Sequence, residues 1–98
     1  MGISVREVGG VCYLSRELDW EGAEDLSIAM KPEPEGALEL VLDLSDVTFI
    51  DSVGVRALVL LARNRWGALV LRYPQDALMR VFELLQIDEV PGIRVELD

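Results

Sequence analysis

The chain has no histidine and only one cysteine among its 98 residues. Without histidine, neither a Ser-His-Asp triad nor a histidine metal site can be assembled. The lone Cys12 excludes a disulfide framework and a multi-cysteine metal site. It lies in the apolar run Val11-Cys-Tyr-Leu14 and reads as a small buried hydrophobe, suited to a reducing cytoplasm. No glycine-rich phosphate loop with its lysine is present. Basic residues are scarce: 9 Lys and Arg stand against 18 Asp and Glu, a net charge of −9. With no basic patch to offset repulsion from a phosphate backbone, nucleic acid is disfavoured as a partner, and the acidity favours solubility and basic partners. Long hydrophobic runs are missing too. The longest, 53–62, is broken by Arg56 and stopped by Arg63, so no bilayer-spanning helix and no direct membrane insertion are expected. Arg6 and Glu7 interrupt any N-terminal signal pattern.

What is there suits one small domain spanning 1–98. Hydrophobic residues make up 51% of the chain, enough for a real if modest core. Residues 3–8 alternate apolar and polar, as a half-buried strand does, and Gly9-Gly10 is a hairpin turn signal before a return strand over 11–15. Asp19 is placed to cap a helix over 22–30, and the prolines and glycine of 31–36 predict a turn. Residues 38–44 form the strongest strand, apolar almost throughout, as in a strand covered on both faces. An acidic turn follows, and 47–50 extends along the same edge. A helix over 52–64 turns Val55, Leu58, Leu61 and Ala62 to one side and ends at Trp66-Gly67. A strand over 68–73, a helix opened by Pro74 with Leu78, Val81, Phe82 and Leu85 buried, a Pro91-Gly92 turn and a strand over 93–97 complete the chain. The order β-β-α-β-α-β-α-β predicts an α/β fold: a mixed sheet, mostly parallel after an N-terminal hairpin, with helices packed on it. We find no internal repeat.

The segment Asp43-Leu-Ser-Asp-Val-Thr-Phe-Ile-Asp51-Ser52-Val-Gly54-Val-Arg-Ala-Leu58 carries the functional signal. Ser52 stands at the start of a helix, where free N–H groups and the helix dipole favour a phosphate. No second catalytic group accompanies it, so the segment reads as a switch and not as an active site. Helix capping by Asp51 or Ser52 would account for both residues locally. Asp19 likewise reads as a cap or a partner contact. Gly54 permits a close backbone approach or is a tolerated first-turn glycine. Arg56 is an exposed cation, solvated or paired with an acidic partner group. Trp20 is an interface anchor or an edge cover. Asp43, Asp46 and Asp51 show no defined cation-coordination pattern.

The same segment resembles the signature of the STAS family, the sulfate-transporter and anti-sigma-factor-antagonist domains, in which a strand leads through an Asp-Ser/Thr-x-Gly turn into a helix. Glu17-Leu18-Asp19 with Ala23 and Leu26 resembles the family's Gly-Glu-Leu-Asp loop, and Pro74 with Leu85 and Ile87 its proline-opened helix. The resemblance implies a bacterial partner-switching regulator: an anti-sigma factor antagonist that binds an anti-sigma factor with serine-kinase activity. Phosphorylation at Ser52 would switch it off and a serine phosphatase would restore it. Asp19, Asp51, Ser52, Val53, Gly54 and Arg56 would form the partner-binding surface, with no enzyme activity and no cofactor of its own. Departures from the pattern are Val53 in place of a second Ser or Thr, Arg56 in place of a small residue, and Arg16 in place of glycine. The chain also stops at Asp98, where many members continue into a last helix. The resemblance admits a second function, an accessory subunit binding the ATPase of an ABC-type lipid transport system.

Overall fold

The computed structural model describes residues 2–30, 39–65 and 67–98. The expected 31–36 turn, the Leu38 start of the third strand and the role of Trp66 lie outside the described residues. The elements run β1 (Ile3–Val8), β2 (Val11–Leu18), α1 (Trp20–Ala29), β3 (Glu39–Ile50), α2 (Ser52–Arg63), β4 (Ala68–Arg72), α3 (Asp76–Leu84), a 3₁₀ turn (Ile87–Glu89) and β5 (Ile93–Glu96). This is the predicted order.

The strands lie side by side in chain order, β1 antiparallel to β2 and every later pair parallel. Parallel neighbours connected in sequence by right-handed crossovers set their helices on one side of the sheet. The burial pattern agrees. Cys12, Leu14, Leu42, Leu71 and Ile93 join Leu26, Leu58 and Phe82 in one apolar core. The alternate residues Tyr13, Asp43 and Arg72 face the opposite way, where no helix lies among the described residues. Long side chains roof that side. The Arg72 guanidinium lies 4.8 Å from the Tyr73 ring centre and 6.0 Å from that of Tyr13, while Arg6 approaches Tyr13 at 5.7 Å. Val70 beneath is 1% exposed and Asp43 4%, so β3 and β4 are covered on both faces, on one of them by side chains alone.

A buried charge needs partners, and Asp43 has them. The Ser45 hydroxyl and N–H both donate to Oδ1, and Arg72 donates to Oδ2 from Nε and Nη2 at 3.2 Å. Burial pushes the Asp43 carboxyl up, and the bonds from Ser45 and Arg72 outweigh it, leaving it below its ordinary value. A depressed folded value stabilises above the unfolded carboxylate range and is lost as pH falls through it. Wild type should therefore lose stability below about pH 4. Asp43→Asn should be about 2 kcal/mol less stable at neutral pH, with a flatter acid limb in urea unfolding measured as a function of pH.

The structure corrects the sequence reading in several places. The acidic turn expected after Leu44 does not form. Ser45 and Asp46 stay within β3, which takes up two register shifts against β2, between Tyr13/Ser15 and Arg16/Glu17. The second strand runs past Ser15 to Leu18, and α1 begins at Trp20 instead of Gly22. Pro74 does not open α3. Tyr73 takes a left-handed backbone (φ 57°), Gln75 is the N-cap without a side-chain cap bond, and its amide instead donates to the Ser45 carbonyl at 2.6 Å.

Arg16 sits at φ 86°, in the region that glycine tolerates and other residues enter at a cost. It occupies the position where the family pattern has glycine. Thr48 donates to its carbonyl at 3.2 Å. We expect Arg16→Gly to stabilise the protein by about 1 kcal/mol, measured by urea unfolding.

Candidate functional site

Two helix starts form one edge of the domain. At the end of β2, Asp19 accepts from the Gly22 N–H at 2.8 Å; at the end of β3, Asp51 accepts from the Gly54 N–H at 3.0 Å. Each carboxylate thus satisfies one of the N–H groups that a helix start leaves unpaired. The bond from the Gly22 N–H holds the Asp19 carboxyl below its ordinary value. The Asp51 N–H reaches back to the Leu18 carbonyl at 3.5 Å, which joins the two turns.

Both helices press their first turn onto β2. A Cβ on Gly54 would lie 2.0 Å from the Leu18 carbonyl oxygen, and one on Gly22 would lie 2.2 Å from that of Glu17. Real Cβ atoms do not approach backbone this closely, so each position admits only glycine without a shift of the helix. The close-approach reading of Gly54 is the one the geometry supports; Gly22 has the same role and was not singled out in the sequence. The signal that finds it is a short repeat. Leu18-Asp-x-x-Gly22-x-x-x-Leu26 and Ile50-Asp-x-x-Gly54-x-x-x-Leu58 are the same pattern, and it corrects the reading that no repeat exists. In each copy an apolar strand end, an aspartate cap, a glycine seat and a buried leucine recur for the same packing reason.

Ser52 is the first residue of α2 and is exposed. The Gly54 N–H goes to the Asp51 side chain and the Val55 N–H to the Asp51 carbonyl. Among the described residues the N–H groups of Ser52 and Val53 have no such partner. Val53 and Arg56 are exposed beside Ser52, Asp19 and Asp51 are half-buried, and Gly54 lies beneath them, buried. Three large apolar side chains stand open around this edge: Trp20 at 62%, Phe49 at 45% and Val53 at 45% exposure. Trp20 opens α1, and Phe49 was not anticipated, because an aromatic within an apolar strand reads as core.

Among the described residues no group of acidic or cysteine side chains is arranged to hold a metal ion, and the Asp43 carboxylate is taken up by Ser45 and Arg72. No helix among them is long and apolar enough to cross a membrane.

Comparison with protein families identifies the architecture. The family model described as "Mlab, STAS domain" matches residues 2–95, and the chain belongs to the STAS family. No curated protein matches it. STAS domains are in general regulatory and work through protein–protein contacts.

Proposed function

We propose that this protein is a partner-binding regulator that docks through the edge formed by the α1 and α2 starts, and that phosphorylation of Ser52 breaks the contact. One observation carries the reading: an exposed serine at a helix start, on an edge where Trp20, Phe49 and Val53 are exposed too. Such aromatic and apolar side chains anchor interfaces. A phosphate there meets the Ser52 and Val53 N–H groups and the helix dipole, so the fold tolerates it. It also adds roughly −2 charge and a bulky hydrated group beside the apolar Trp20, Phe49 and Val53, which a partner seated on them would have to desolvate. The modification acts on docking and leaves the packing alone.

In the first form of this function the domain is a cytoplasmic bacterial anti-sigma factor antagonist. Its partner is an anti-sigma factor with serine-kinase activity, and a serine phosphatase reverses the modification at Ser52. Asp19, Asp51, Ser52, Val53 and Arg56 make the contact, and Gly54 seats the turn that presents them. The apolar Val53, standing where a second hydroxyl residue is usual, favours a second form in which the edge grips the ATPase of an ABC-type lipid transport system as an accessory subunit. Affinity capture from the native lysate, with wild type and Ser52→Asp as baits, separates the two. A serine-kinase-like protein held by wild type and lost with Ser52→Asp supports the switch, whereas an ABC-type ATPase supports the accessory role. Identical capture by both baits would refute a switch at Ser52.

A further inference from the structure

The repeated cap-and-glycine pattern has a consequence for the outer face of the helix layer. α1 and α2 follow adjacent parallel strands, so they run in the same direction. Their first turns rest on neighbouring β2 carbonyls, Glu17 and Leu18, so they also begin at the same level. Residues equally far from the two aspartate caps therefore lie side by side across the groove between the helices, whose walls include Ala23, Ser27, Ala57 and Leu61. The fifth residue after the cap is Glu24 in α1 and Arg56 in α2; the ninth is Ile28 in α1 and Leu60 in α2. All four are exposed, Ile28 at 66% and Leu60 at 43%. No ion pair involving Glu24 or Arg56 occurs among the described residues. At one level the face carries opposite charges on the two helices, and one turn further on it carries an apolar residue on each.

We propose that this face binds a second copy of the same chain. A twofold axis lying in the interface, parallel to the helices, sets α1 of one copy over α2 of the other with the helices running the same way. Glu24 then meets Arg56 of the other copy, and Ile28 meets Leu60. The twofold repeats both contacts, which makes the surface self-complementary, as an isologous dimer requires. The alternative twofold, across the helices, sets each helix against its own counterpart, and charge complementarity favours the first arrangement. Two short helices bury an area at the low end of specific interfaces, so the dimer is transient and forms at high protein concentration. Where the docking edge proposed above is used, the dimer covers Val53 and Arg56, and self-association and partner docking exclude one another.

Sedimentation velocity of the purified full chain tests this, over about 10 µM to 1 mM at physiological salt, where repulsion between the two acidic molecules is screened beyond about 8 Å. Wild type should shift from monomer to dimer across that range. Glu24→Arg and Arg56→Glu should each remain monomeric, because each sets like charges opposite one another twice. An equimolar mixture of the two variants should form a heterodimer, and the double variant should dimerise again. Recovery in the mixture rules out loss of folding as the reason for the single-variant result. Wild type that stays monomeric throughout, self-association unchanged by the reversals, or a mixture that fails to pair would each overturn the proposal. The assay contains no docking partner, so its outcome does not depend on the function proposed for Ser52.

Discussion

Gly54→Ala is expected to destabilise the protein by about 3 kcal/mol, one of the largest losses available to a single methyl group in this fold. The added Cβ would lie 2.0 Å from the Leu18 carbonyl oxygen and 2.9 Å from Ile50 Cγ1, both on the strands that α2 covers. Neither neighbour is the free end of a flexible side chain, so relief requires α2 to lift from the sheet. That would strain the Asp51 cap and the burial of Val55 and Leu58. Alanine is otherwise the better helix former by about 1 kcal/mol, so the sign of the change reports packing alone. Urea unfolding measures it. Gly22→Ala, against the Glu17 carbonyl, should behave alike, while Gly9→Ala, with nothing within 4 Å of its Cβ, should show only the modest cost of its left-handed turn.

The part of the site that follows from chain periodicity was legible in the sequence. Two-residue alternation in β1, the apolar run of β3 and the helical spacing of Leu58 and Ala62 each express a burial pattern, and burial is what selects residue type. The features that were hidden arise from local geometry. Ser45-Asp46 has the polarity of a turn, yet hydrogen bonds from Ser45 to Asp43 and two register shifts keep it within the sheet. The left-handed backbone of Arg16 leaves no trace in residue type, because arginine is not what that conformation selects. Phe49 is exposed because the register shift changes which β3 residues face inward: burial passes from every second residue at Leu40, Leu42 and Leu44 to every third at Val47 and Ile50. The Gly22 seat was visible, but only once its pattern was laid beside that of Gly54.

Ser52→Asp should weaken binding of the docking partner by at least about 100-fold, with unfolding unchanged to within about 0.5 kcal/mol. The stability expectation follows from exposure: Ser52 contributes no core contact, and an acidic residue in the first turn of a helix is electrostatically favourable. The binding expectation follows from what lies around it. Trp20, Phe49 and Val53 make the contact surface apolar, so a carboxylate placed beside them at Ser52 would have to lose its hydration on docking with nothing to replace it. Ser52→Ala removes the hydroxyl without adding charge and should bind as wild type does. A loss of binding in both variants would mean that the hydroxyl is itself a contact, which is the behaviour expected of an ATPase-gripping edge.

The most direct test of the account is titration calorimetry of the partner recovered by wild type, against the unmodified chain and against the chain phosphorylated at Ser52. The account predicts tight binding by the unmodified protein, none measurable by the phosphorylated form, and recovery after phosphatase treatment. Equal affinity of the two forms would contradict it and leave Ser52 as an exposed first residue of α2 with no switching role.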